Sequence, residues 1–262
     1  MAARELSSPR FALFGTPVLL YHDVCEAQSH DRFAVTVSSF KQQLAALREH
    51  GFSGADLAAV RESSSSRRVV LTFDDGLASH YEHAFPVLLD YGSRATFFVS
   101  TALVGSAGYL TWNQLREMTD AGITIGSHGF LHTDYSLLSP SVALSQLRAS
   151  RESIEDAIGK PVTSFSAPYG FLNRRLLDIA RTAGFHHVCS SLPYLAGATS
   201  AVVPRIAVYA RTSLPEFVAL AHGRPTPILS RLARHAVFYA PKRFLLRTWP
   251  QRLGVNVQEV TR

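Results

Sequence analysis

Cysteine is scarce in this 262-residue chain: Cys25 and Cys189 are the only two, far apart and in no CxxC pair. That spacing indicates neither a disulfide framework nor a thiolate zinc site, and two reduced thiols are expected. Long apolar runs are missing as well. No stretch reaches the roughly 18 to 20 residues of a membrane span. The apolar patch near the N-terminus is broken by Gly15 and Pro17, with no small-residue cleavage site after it; no secretion signal is expected, and the location expected is cytoplasmic. Internal repeats are absent, and low complexity is confined to Ser63 to Ser66. Net basicity is lacking over most of the length: residues 1–223 hold 18 basic and 19 acidic residues, whereas 224–262 hold eight basic residues against Glu259. The formal charge of +6 therefore belongs to the tail and says nothing about the ligand of the main domain. The tail has no repeating contact pattern, so nucleic acid is not expected as a partner.

What is present is a chain with 47% hydrophobic residues, enough for one large α/β domain. Seven strand-like runs recur: 17–24, 68–75, 95–100, 123–128, 162–170, 186–191 and 202–209. Helical patterns fit between them at 38–50, 79–91, 111–121, 140–158, 173–183 and 214–221. Gly51, Gly122 and Gly184 stand where left-handed helix caps are needed before the next strand. Alternation of this kind signals a parallel sheet, and periodicity alone leaves open whether it is doubly wound or closed into a barrel. In either case ligands bind beyond the carboxyl ends of the strands.

Three motifs lie at such ends. The strand "LTF" runs into Asp74, Asp75 and Gly76. Asp-Asp-Gly is ordinary turn chemistry, but adjacent carboxylates also repel unless a cation or a division of labour relieves them. In "GSHGFLHTDYS", His128 and His132 are four apart and directly follow a strand. Two imidazoles and one carboxylate make an open zinc or iron site with a position left for water. The third motif is the "APYG" turn at 167–170.

"TFDDG", then "SHGFLH" about fifty residues later, then "APYG" resembles, in order and spacing, the polysaccharide deacetylase family, the carbohydrate esterases with a NodB homology domain. The opening "PVLLYHDV" and "VSSFKQQLAALREHGF" are similar to the bacterial branch acting on exopolysaccharide or peptidoglycan. The resemblance implies a distorted (β/α)7 barrel spanning 17–223, after an extension at 1–16 and before a basic, amphipathic helical tail at 224–262. It implies a divalent metal, Zn2+ first and Co2+, Ni2+ or Mn2+ otherwise, on Asp75, His128 and His132. Asp74 would be the general base, and the Tyr169 backbone N–H would face the oxyanion. The activity implied is removal of N-acetyl, or O-acetyl, groups from a glycan.

Two positions depart from the family pattern. Ser166 stands where much of the family has an Arg that orients the catalytic Asp, and a hydroxyl cannot supply that charge. The His that protonates the leaving amine has two candidates, His22 in "LLYHDV" and His222 in "EFVALAHG". Asp23 stands beside His22, to orient an imidazole or cap a turn, and His186 and His187 are read as structural. The alternatives are a glycan-binding barrel without hydrolysis and a deacetylase or deformylase of a lipid-linked sugar. In the tail, Ile228, Leu229, Leu232, Ala233, Ala236 and Tyr239 form one helical face, with Ser230, Arg231, Arg234 and His235 opposite. Residues 227–250 are therefore expected either to lie on an anionic membrane surface, the inner face, or to pack on the barrel.

Overall fold

The computed structural model describes residues 15–62 and 67–248, with side chains of the final helix given through His235 and at Val237. In chain order the elements are β1 (Val18–Tyr21), β2 (Asp23–Cys25), β3 (Ala34–Thr36), α1 (Val37–Glu49), β4 (Ser53–Ala55), β5 (Arg68–Phe73), α2 (Phe85–Asp90), β6 (Thr96–Val99), α3 (Trp112–Asp120), β7 (Thr124–Ser127), α4 (Pro140–Ile158), β8 (Ser164–Ser166), α5 (Arg174–Thr182), β9 (His187–Cys189), β10 (Ile206–Ala207), α6 (Leu214–Ala221) and α7 (Pro225–Thr248). Seven parallel strands follow one another as β10-β1-β5-β6-β7-β8-β9, with β4 beside the start of β5. A parallel bridge from Cys189 to Val203 joins the far edge to the segment entering β10, so the sheet curls round toward itself. This is the (β/α) barrel implied above, in one domain, and all seven expected strands form.

Alternation along the strands sorts side chains between two layers. Leu19, Tyr21, Leu71, Phe73, Phe97 and Ile125 face the helices and share one buried cluster with Phe40, Leu88, Leu115 and Leu147. Val18, Val70, Phe98, Cys189 and Val203 face the barrel interior in a second. The helices follow their sequence rules. Thr111 and Gln114 close a capping box at the start of α3, Asn173 caps α5, and Gly122 and Gly184 take φ of 89° and 97° after the last helical turn.

Two features were not expected. The strand run 17–24 breaks at His22, and β2 leaves the barrel to pair with β3 in a separate parallel ladder. Helix α7 also docks differently from its hydropathy pattern. Arg231, assigned to the water-facing side, is 5% exposed; Leu229, assigned to the buried face, is 58% exposed. The guanidinium of Arg231 donates to Ala207 O at 3.0 Å, Glu216 Oε1 at 2.5 Å and Thr212 Oγ1 at 3.1 Å, so a cation counted as surface is the latch to the barrel. Ala236 and Tyr239 lie outside the described side chains. No helix among the described residues is long and apolar enough to cross a membrane.

Packing inside the barrel leaves no room at Gly126 of β7. A Cβ there would stand 2.6 Å from the Phe98 ring and from Ser164 Oγ. Gly126→Ala should therefore cost about 1 to 3 kcal/mol through overpacking, read as a lower midpoint in denaturant with an unchanged slope.

Candidate active site

The alternation that fills the barrel also aims its chemistry. Val70 faces the interior, so Thr72 and Asp74 follow on the same face; by the same count Ser164 leads to Ser166 and Gly126 to His128. Asp74, His128 and Ser166 thus converge at the carboxyl ends of three strands. Asp75 would point outward by that count, but its φ of 79° is left-handed and turns the carboxylate back. Gly76, at φ 70°, continues the reversal, and a Cβ on it would meet Val99 Cγ1 at 2.9 Å.

The result is a compact donor set. Asp75 Oδ1 lies 3.2 Å from His128 Nε2 and 3.2 Å from His132 Nε2, and one ligand atom from each residue falls within 4.8 Å of the others. His128 Nδ1 is 2.9 Å from Ser166 O. As a carbonyl can only accept, Nδ1 carries the proton and Nε2 keeps its lone pair for the converging point. Burial would raise the Asp75 carboxyl, but the adjoining His128 and His132 imidazoles outweigh it and hold it below the usual carboxylate range. One carboxylate and two imidazoles, one with its tautomer fixed, fit a divalent cation with room for water.

Asp74 has a different environment. It is 3% exposed and grips Arg205, which is fully buried: Nη1 donates to Oδ1 and Nη2 to Oδ2, both at 2.7 Å. Ser166 Oγ donates to Oδ2 at 3.0 Å and accepts from Arg205 Nη2 at 2.8 Å. The other guanidinium hydrogens reach Ser190 O at 3.1 Å and Thr72 Oγ1 at 3.4 Å, so all five donors are placed. Burial raises the Asp74 carboxyl, and the Arg205 charge more than offsets this, leaving it below its usual value. Three of about four acceptor sites on this carboxylate are filled, and one is left to take a proton.

The charge that Ser166 cannot supply thus comes from another strand. Arg205 stands in "VVPRIAVY", one residue before β10, and had no place in the sequence-based site. The available hint was a lone cation inside an apolar strand run, at the interior parity of Val203.

These groups share one cavity of about 320 Å³ whose lining includes His22, Asp74, Asp75, His128, His132 and Tyr169. Tyr169 has φ 60° and ψ 0° in a turn closed by Gly170 N–H to Ala167 O at 2.9 Å. Its ring packs edge-on to His132 at 4.6 Å. The His22 ring lies against Phe33, 4.5 Å between centroids, and its Nδ1 is buried without a hydrogen-bond partner. Leaving such an atom unpaired costs about 1 to 3 kcal/mol unless water or ligand meets it. Burial lowers the His22 imidazole below its ordinary value. His222 is not brought here. It ends α6, 3.5 Å from His50 at the end of α1, at the helix C-termini and away from the strand ends that build the cavity. Asp23 accepts from Ser79 Oγ at 2.6 Å and does not reach an imidazole nitrogen.

The family model described as polysaccharide deacetylase matches residues 61–188. YxkH of Bacillus subtilis (strain 168), named for the same family, is 30% identical over 175 residues, covering 64% of this chain and 62% of that protein. The poly-beta-1,6-N-acetyl-D-glucosamine N-deacetylase of Escherichia coli (strain K12) is 30% identical over 137 residues, 44% of this chain and 20% of that one. The chain therefore spans under two thirds of either relative. Among solved structures, IcaB from Ammonifex degensii superposes with a TM-score of 0.71 at 29% identity, covering 79% of this chain and 97% of that one. Streptococcus pyogenes deacetylase PplD, in complex with acetate, gives 0.74 at 24% identity, covering 79% and 98%, a likeness of fold.

Proposed function

We propose, for a chain that carries the polysaccharide deacetylase domain, that it hydrolyses the N-acyl group of an acylated sugar or glycan with the help of a divalent cation. The observation that carries this reading is the meeting, in one cavity, of the Asp75–His128–His132 donor set and a buried carboxylate held ionised by Arg205. Asp75, His128 and His132 would hold the cation, with Zn2+ the best match to imidazole and carboxylate donors. Bound there, such an ion would offset the Asp75 charge, polarise the acyl carbonyl and acidify water.

The chain's own residues supply the rest. Asp74 takes the proton of the attacking water at its remaining acceptor site, and Arg205 and Ser166 fix the direction from which it does so. The Tyr169 turn presents backbone to the oxyanion. His22 is the proton donor to the departing nitrogen: its place in the cavity favours it over His222. A non-hydrolysing glycan-binding barrel would suit a base without a cation and a site without a defined proton donor; Arg205 answers the first of these and supports the enzyme reading.

Stripping the purified protein with a chelator and reloading it tests the proposal directly. About one equivalent of Zn2+ per chain should return, together with acetate release from N-acetylated oligosaccharides. His132→Ala should lose both. Equal metal content in the variant and the parent protein would overturn the donor set, and acetate release unaffected by chelation would overturn metal dependence.

A further inference from the structure

The tail's excess of positive charge has no role in the chemistry above. Its structural setting gives it one. With Arg231 latched to Ala207, Glu216 and Thr212, the next residues on that face of α7, Arg234 and His235, line the catalytic cavity. Arg32 lines it too, its backbone oxygen held by Ala210 N–H at 2.8 Å and its guanidinium over the Phe33 ring at 4.6 Å. Neither Arg32 nor Arg234 forms an ion pair with a carboxylate of the described residues, and both are exposed. Among the described residues, the only acids lining the cavity are Asp74, already neutralised by Arg205, and Asp75, assigned to the cation. Arg32 and Arg234 therefore line the cavity without a counter-charge among the described residues, on a barrel that is otherwise near neutral.

A neutral amino-sugar polymer gains nothing from this, and each acyl group removed would add an ammonium that the two arginines repel. A planar, bidentate donor suits a phosphate or carboxylate. Building on the deacylase reading, we propose that the acylated sugar this site accepts bears an anionic group, received by Arg32 and Arg234 while the acyl group meets Asp74 and the metal donors. Arg32 and Arg234 both lie outside the segment 61–188 matched by the family model.

The zinc-loaded full-length protein should be assayed for amine release on N-acetylglucosamine 1-phosphate, N-acetylglucosaminuronic acid, N-acetylglucosamine and chitotetraose, and titrated with the first and third by calorimetry. At least one anionic sugar should exceed the neutral ones in kcat/KM by ~10- to 100-fold, the worth of one or two charge-assisted contacts. The phosphate and carboxylate arms identify the anion. An Arg32→Gln/Arg234→Gln double variant should shrink that preference to within about twofold, and its circular dichroism and zinc content verify folding. Neutral sugars turned over as well as anionic ones, or a preference that survives the double variant, would overturn the anion site while leaving the deacylase reading intact. Conversely, phosphate-sugar binding weakened by the double variant, with no turnover of any sugar, would overturn the deacylase reading and keep the anion site.

Discussion

Replacing Arg205 by Met should cost the protein about 3 to 5 kcal/mol of stability, because it strands a buried carboxylate without its partner. Activity should fall as well, and for a separable reason. In the parent protein the guanidinium offsets the burial that would otherwise raise Asp74, and the base stays ionised well into acid. Without it, burial acts unopposed, the carboxyl rises, and the acid limb of the kcat/KM profile moves to higher pH. The sign for stability is the same. A carboxyl depressed in the folded state contributes stability above its unfolded value, lost as pH falls through the folded one, so the parent should lose that part only in strong acid and the variant should never have it. Arg205→Lys provides the folded control: one ammonium cannot reproduce two parallel 2.7 Å bonds, and a roughly tenfold loss with a smaller pH shift is expected. An unmoved acid limb in both variants would reduce Arg205 to a structural role.

The two neighbouring aspartates should fail in different ways. Asp74→Asn keeps the shape and the hydrogen-bond reach but cannot accept the proton, so turnover should drop about 10²- to 10⁴-fold with metal content and fold intact. Asp75→Ala should lower metal content together with activity, and excess metal should restore part of both. If the pair formed only a turn, each substitution would alter stability by about 1 kcal/mol and leave zinc binding alone. Metal analysis beside single-turnover rates separates the outcomes. A fully active Asp74→Asn protein would refute the base, and unchanged zinc in Asp75→Ala would refute the ligand.

Much of the architecture could be read in advance because the barrel strands are short apolar runs closed by Gly-capped helices, as with Gly122 before β7 and Gly184 before β9. The metal donors were legible because they cluster in local motifs: His128 and His132 are four apart, and Asp75 stands in the Asp-Asp-Gly turn that closes β5, although strand parity alone would have aimed it outward. What stayed hidden depends on contacts distant in sequence. Arg205 meets Asp74 across 131 positions, and only closure of the barrel brings their strands face to face. Arg231 looks like surface until Glu216, Thr212 and Ala207 are seen to satisfy it. The β2–β3 ladder, three residues a side, is too brief for periodicity to register.

The pairing of Ser166 with Arg205 around a single carboxylate also carries a consequence for substitution. Moving the guanidinium from β8 to the entrance of β10 requires two substitutions, and neither intermediate is comfortable. A chain with Arg at both places would bury two cations on one anion, and a chain with neither would leave the base unpaired; each state carries a buried charge without compensation. Installing Arg at position 166 of this chain should therefore be tolerated only together with loss of the Arg205 charge, each single change destabilising the protein. Position 166 inspected alone would suggest a weakened base, although its carboxylate is held by two guanidinium hydrogen bonds and one hydroxyl.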